Sequence, residues 1–234
     1  MSGINFENKT VVVTGAGNGL GKAYALEFAK RGANVVINDI GGSVTGDGSE
    51  NAPADVVVEE INSSGGSAVA NYDSVATKQG GESIIESALS NFGSVDAVVN
   101  NAGILRDKSF AKMEEDDLNA IIDVHLKGTF FVCQPAFIQM KEQGYGRFVN
   151  VSSPSGLFGN FGQLNYGAAK MGIVGLTNVL AIEGAKYNIK ANVIAPNAAT
   201  RMTETLFGED MSKLLTVDNL SLIHISEPTR LGMI

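Results

Sequence analysis

Short β-branched runs alternate along this chain with longer stretches in which apolar positions recur at helical spacing. The first run, at 10–14 (Thr-Val-Val-Val-Thr), predicts a strand, and residues 22–30 behind it carry apolar positions at the period of a helix. A second strand is expected at 34–38, and further strands at 67–71, 95–99, 146–151 and 190–194. Between them the pattern predicts helices at about 78–91, between 114 and 142, and at about 163–186. Such alternation gives an α/β domain in which a parallel sheet is covered on both faces by helices. The Gly- and Ser-rich segment 41–51 reads as a loop after the second strand, and no internal repeat or second domain is visible.

The turn between the first strand and the first helix is Gly15-Ala16-Gly17-Asn18-Gly19-Leu20-Gly21. Strand, glycine loop and helix in that order form a dinucleotide cradle. Glycines allow a tight turn and close approach of backbone to pyrophosphate, and the helix start offers free N–H groups and a positive dipole end. The second strand runs into Asp39, where a carboxylate can accept hydrogen bonds from ribose hydroxyls and would repel a 2′-phosphate. No Arg or Lys lies next to Asp39, so the pattern favours NAD over NADP. Ligands in such sheets lie at the carboxyl ends of the strands, and Gly15, Asp39, Asn101 and Ser153 all fall at or just after those ends.

Only one of the five tyrosines, Tyr166, has a lysine four residues later, Lys170, and Ser153 precedes it by thirteen. On a helix that spacing puts phenol and ammonium on one face. An ammonium beside a phenol favours the phenolate and lowers a pKa that would otherwise lie near ~10. The pair then suits proton exchange with an alcohol or ketone. The same spacing also occurs on plain solvated helix faces, and it is the nucleotide loop upstream that tips the reading toward chemistry.

Three motifs, Thr-Gly-Ala-Gly-Asn-Gly-Leu-Gly at 14–21, Asn-Asn-Ala-Gly at 100–103 and Ser153 with Tyr166 and Lys170, resemble in order and spacing those of the short-chain dehydrogenase/reductase superfamily. The likeness runs from about 8 to 203. Further runs at 21–26, 101–107, 123–128, 159–163 and 194–205 resemble one subfamily, the (3R)-hydroxyacyl-CoA dehydrogenase region of peroxisomal multifunctional enzymes of type two, which serve fatty-acid β-oxidation. The resemblance implies a Rossmann-like doubly wound sheet and NAD as cofactor, with no metal. It implies that Tyr166 takes the proton from the substrate hydroxyl, that Lys170 holds the nicotinamide ribose, and that Ser153 hydrogen-bonds the reacting oxygen. Asn18, Gly19, Leu20 and Gly21 would cradle the pyrophosphate, Asp73 and Ser74 would face the adenine, and Asn101, Ala102, Gly103 and Pro196 would line the cofactor. His125 stands where many members carry an asparagine that helps hold a water; a buried structural histidine and a proton-relay participant are both open readings. Pro196-Asn197 replaces the usual Pro-Gly, which leaves the path of the following loop open.

A net charge of −8 argues against nucleic acid as a general partner and means that an anionic CoA thioester must be held by local cations. Arg106, Lys108, Lys112, Arg147 and Arg201 lie in segments that the fold would bring near the site mouth, with Arg106 foremost. The single cysteine, Cys133, sits in an apolar stretch and reads as a small buried hydrophobe. Neither a signal segment nor an apolar run near the length of a membrane span is evident, so a soluble intracellular protein is expected. The resemblance points to the peroxisome, otherwise the cytoplasm, and to a homodimer when the chain is complete.

Residues 220–234 do not resemble the family, whose members continue into an apolar helix and a seventh strand. The string Leu-Ser-Leu-Ile-His-Ile-Ser-Glu-Pro-Thr-Arg at 220–230 matches one reading frame of a common sequencing adapter. The expectation is therefore a dehydrogenase domain at 1–219 that lacks its seventh strand, followed by a non-native tail. The competing readings are a 3-oxoacyl carrier-protein reductase, disfavoured by Asp39, and a catalytically silent nucleotide-binding scaffold, disfavoured by the intact Ser153, Tyr166 and Lys170.

Overall fold

The computed structural model describes residues 4–48 and 52–196. The tail at 220–234, Arg201 and the place of a seventh strand lie outside them. Six parallel strands form one sheet in the order β3-β2-β1-β4-β5-β6: β1 (Thr10–Thr14), β2 (Asn34–Asn38), β3 (Ser67–Asn71), β4 (Ala97–Asn100), β5 (Gly146–Val151) and β6 (Ile189–Ile194). The chain moves outward from β1 to β3, returns to β4 and continues to β6. The order therefore reverses between β1 and β4, the switch point at which open α/β sheets bind ligands.

Helices cover both faces: α1 (Gly19–Lys30), α2 (Ala52–Ser63), α3 (Lys78–Phe92), α4 (Glu115–Ile121), α5 (Gly128–Gln143), a five-residue α6 (Pro154–Phe158) and α7 (Leu164–Gly184). Residues of β1 alternate between two cores. Val11 and Val13 pack with Phe28, Ala54 and Ile61 on the α1/α2 side, and Val12 packs with Ile84, Val132 and Phe148 on the α3/α5 side. A strand with both faces buried needs the continuous apolar run that this one has.

All six expected strands are present. Two helices escaped the sequence reading. In α2, Ala54, Val57 and Ile61 carry the buried stripe, but the Val-Val-Val run inside it speaks for a strand. The short α6 is announced only by its start, with Ser153 as N-cap accepting from the Ser155 N–H at 3.2 Å and Pro154 in the first turn. The span Glu115–Gln143 is continuous through a π-helical turn, Ile122–Lys127. By length and composition this span could cross a membrane, which corrects the expectation that no such run exists. Here it packs against α3, α7 and the sheet, and buries Val132, Ala136 and Met140.

Candidate active site

A cleft of about 430 Å³ opens at the carboxyl ends of the central strands. Gly15 turns the chain with φ +63°, and a Cβ there would sit 2.8 Å from the Ala102 Cα. The loop is sewn to the segment after β4. Thr14 Oγ1 accepts from the Asn101 and Ala102 N–H groups, both at 3.1 Å, and Asn101 Nδ2 donates to the Thr14 and Gly15 carbonyls at 3.1 and 3.0 Å. Asn18, Gly19 and Leu20 line the cleft at the start of α1. Asn18 makes no side-chain cap there, which leaves the positive end of the helix to an anion. Gly21 does not line the cleft; a Cβ on it would overlap the Gly15 carbonyl, so its smallness lets helix and loop pack.

Asp39 stands beside the loop. Its Oδ2 accepts from the Gly17 N–H at 2.8 Å and its Oδ1 from the Gly41 N–H at 2.7 Å. Each oxygen keeps a further lone pair for a ribose hydroxyl. Asp73 and Ser74 line the far end, with Asp73 fixed by Ser83 Oγ at 2.6 Å and Asn71 Nδ2 at 3.1 Å. Asn101, Ala102 and Gly103 form the opposite wall. Pro196 follows β6 and is not part of the cleft lining. The cradle and its donors suit a dinucleotide: close backbone approach at the glycines, a helix start for phosphate, and a carboxylate for ribose.

The sequence reading missed a strap. Ser43, Val44 and Gly46 line the cleft together with Ile104 and Arg106, and the Leu105 N–H donates to the Val44 carbonyl at 2.9 Å. Nothing in the Gly/Ser-rich composition of that loop signals its docking. Arg106 is part of it, since Nε donates to the Thr45 carbonyl at 3.2 Å and Nη2 lies 3.7 Å from Asp47.

Ser153, Tyr166, Lys170 and His125 converge from three elements. Ser153 is near enough to the Tyr166 phenol to act on its ionisation, and the His125 ring stands edge-on to the Tyr166 ring at 5.1 Å between centroids. Lys170 Nζ is buried, donates to the Val151 carbonyl at 2.6 Å and lies 5.4 Å from the centre of the Tyr166 ring. The expected lowering of the phenol by Lys170 is corrected. Burial raises the Tyr166 pKa, the Ser153 hydroxyl pulls it down, and the Asp107 charge raises it. Lys170 is itself depressed from 10.5 to about 7 by burial, which weakens it as a positive neighbour.

His125 is buried in the π-helical turn, with Nε2 2.8 Å from the Ile104 carbonyl and 3.1 Å from its nitrogen. Nε2 would accept from the Ile104 N–H in one tautomer and donate to its carbonyl in the other, and among the described residues Nδ1 has no partner. Burial, then the Lys170 charge, lowers its pKa to about 3 against the pull of Ile104, so the ring is neutral at ordinary pH.

The cations separate. Lys108 pairs with Asp117 at 2.7 Å, and Lys112 is exposed in the turn Phe110–Lys112. Arg147 is buried at the amino end of β5, donating to the Gly146 and Asn188 carbonyls at 2.9 Å. It lies at the end of the sheet away from the cleft, which corrects its placement near the mouth. Cys133 is buried as expected, its thiol pushed up to about 12 by burial, with Asn100 Nδ2 at 3.2 Å.

Residues 9–210 match the family model for short chain dehydrogenases. The chain is 55% identical over 214 residues to the mouse "Peroxisomal multifunctional enzyme type 2", covering 92% of this chain and 29% of that protein. It is 55% identical over 212 residues to the Saccharomyces cerevisiae "Peroxisomal hydratase-dehydrogenase-epimerase", covering 91% of this chain and 23% of that one. It thus spans less than a third of these relatives. Among solved structures, a short chain dehydrogenase from Mycobacterium avium superposes with a TM-score of 0.82 at 44% identity, covering 92% of this chain and 76% of the other. With cradle, switch point and Ser-Tyr-Lys cluster in these positions, the chain belongs to the short-chain dehydrogenase family, oxidoreductases on a nicotinamide-dinucleotide-binding Rossmann-like fold.

Proposed function

We propose that the chain is an NAD-dependent dehydrogenase that oxidises (3R)-3-hydroxyacyl-CoA to 3-oxoacyl-CoA in fatty-acid β-oxidation. The observation that carries the reading is the meeting of Ser153 and Lys170 at Tyr166, beside a dinucleotide cleft with Asp39 at the ribose end. The names of the relatives support the substrate class and the peroxisome as compartment.

A bound nicotinamide would supply the hydride acceptor. Ser153 hydrogen-bonds the substrate oxygen and holds it against the phenol, and Tyr166 takes the hydroxyl proton. Lys170 holds the nicotinamide ribose, and with a pKa of about 7 it can pass a proton onward near neutral pH. His125, neutral and edge-on, supports the Tyr166 ring and does not carry charge. Asp39 selects NAD by accepting from both ribose hydroxyls and repelling a 2′-phosphate. Arg106 is the cation at the cleft wall for the CoA phosphates. A homodimer fits the exposed Phe130 and Ile138 on α5 and Val179 and Ile182 on α7.

The test is reduction of NAD and NADP by 3-hydroxyacyl-CoA of several chain lengths, followed by absorbance of the reduced nicotinamide. Turnover with NAD is expected, and turnover with NADP alone would overturn the cofactor assignment.

A further inference from the structure

Five consecutive residues after the cleft wall each bond to a different neighbour. Ile104 holds His125 Nε2, and Leu105 donates to Val44 in the strap. The Arg106 carbonyl accepts from Asn165 Nδ2 at 3.0 Å, and Asp107 accepts from Gln163 Nε2 at 2.7 Å. The Lys108 N–H donates to the Gly162 carbonyl at 3.0 Å. Three of the five bonds end within 162–165, immediately before Tyr166. The segment that walls the cofactor cleft is thus laced to the first turn of the helix that carries the phenol.

Asn165 is the centre of that lacing. It is fully buried, and Nδ2 donates both to Arg106 O and, at 3.1 Å, to Asp117 O, while Oδ1 accepts from the Tyr166 N–H at 2.8 Å. Buried amides with every donor and acceptor committed fix one geometry, since any shift leaves a polar group unpaired. Gln163, the residue at the N-cap of α7, gives that helix no side-chain cap, because its Oε1 accepts from Asn160 Nδ2 at 3.1 Å while its Nε2 donates to Asp107. Asn165 therefore supplies the anchoring that a cap would give.

We propose that Asn165 is a positioning residue for the reaction: it fixes the Tyr166 backbone against the Arg106 carbonyl and the first turn of α4, so that the phenol meets Ser153 beside the cleft. The inference rests on Tyr166 being the proton-transfer group. Alignment matters steeply, because a displacement of ~1 Å at a reacting group can cost about a hundredfold.

Around the phenol stand Ser153 before α6, His125 in the π-helical turn, Lys170 on its own helix and Asp107 after β4. Of these, Ser153 is the one that lowers its pKa, so releasing the phenol from Ser153 must move its titration to higher pH.

The test compares the full chain with Asn165→Ala and Asn165→Asp. The aspartate keeps an acceptor for the Tyr166 N–H but loses both donor bonds. Tyr166 is titrated by tyrosinate absorbance, each protein read against its own Tyr166→Phe partner, a readout that needs no turnover. Both Asn165 variants should titrate Tyr166 at higher pH and lose kcat by roughly ten- to a hundredfold, with the dissociation constant for NAD little changed. If one variant fails to fold, the other carries the test; if both fail, Asn165→Ser, smaller but still able to donate, is read in the same way. An unmoved titration with full kcat in any folded variant would overturn the positioning role. Absence of dehydrogenase activity in the parent chain would overturn the proposed function and leave the titration to decide Asn165.

Discussion

Replacing Lys170 by Met should make the protein more stable at neutral pH while abolishing its chemistry. The Nζ of Lys170 is buried with the Val151 carbonyl as its hydrogen-bond acceptor, and its pKa falls from 10.5 to about 7. At about 1.4 kcal/mol per pH unit, that depression is a cost of about 5 kcal/mol for keeping the ammonium in the fold below pH 7. Methionine has similar length and no charge, so it removes this cost, but it strands the Val151 carbonyl at about 1–3 kcal/mol. The expected net gain at pH 6 is about 2–4 kcal/mol. The sign reverses with pH. The unfolded chain binds more protons than the folded one between about 7 and 10.5, so wild-type stability rises through that window. By about pH 10.5 the stranded carbonyl is all that remains, and the methionine variant should be the less stable protein. Urea unfolding of both proteins from pH 6 to 10.5 reads the difference, in which contributions common to the two cancel. A variant less stable at pH 6, or a gap independent of pH, would refute the buried-ammonium argument.

Tyr166→Phe should cost roughly 10²–10⁴-fold in kcat with NAD affinity nearly intact, because the ring still packs but cannot move a proton; near-wild-type turnover removes Tyr166 from the mechanism. Asp39→Ser should lower the NAD over NADP preference about tenfold or more, as charge-assisted bonds of about 1–3 kcal/mol and the repulsion of a 2′-phosphate are lost together. An unchanged ratio of kcat/KM values means that another group reads the ribose. Gly103→Ala would place a Cβ over His125 Cε1, against a ring fixed by Ile104 and Tyr166, and should destabilise by about 1–3 kcal/mol in urea unfolding. A neutral effect would show that the π-helical turn yields easily.

The sheet was legible because buried parallel strands leave runs such as Val11 to Val13 with nothing polar inside them. The glycine loop was legible because its backbone demands are written in residue type: Gly15 needs positive φ, and Gly17 must let Asp39 approach within hydrogen-bond reach. That Tyr166 and Lys170 are neighbours on α7 followed from helical spacing. The electrostatics did not follow, because spacing tells which groups are neighbours but not how dry they are. At Tyr166 burial outweighs the pull of Ser153, and it takes Lys170 itself down to about 7. Arg147 was misplaced because a charge in a strand gives no sign of which end of the sheet receives it. The strap at 43–47 and the lacing around Asn165 depend on backbone carbonyls met across 48 to 61 residues, and carbonyls have no sequence signature.

The central claim is stereospecific alcohol oxidation with NAD, and it is tested most directly by offering the 234-residue chain the separate (3R) and (3S) enantiomers of a 3-hydroxyacyl-CoA. The account predicts that the (3R) substrate alone reduces NAD and that Tyr166→Phe abolishes the signal. Consumption of the (3S) enantiomer in preference, or turnover that survives loss of the Tyr166 hydroxyl, would contradict it.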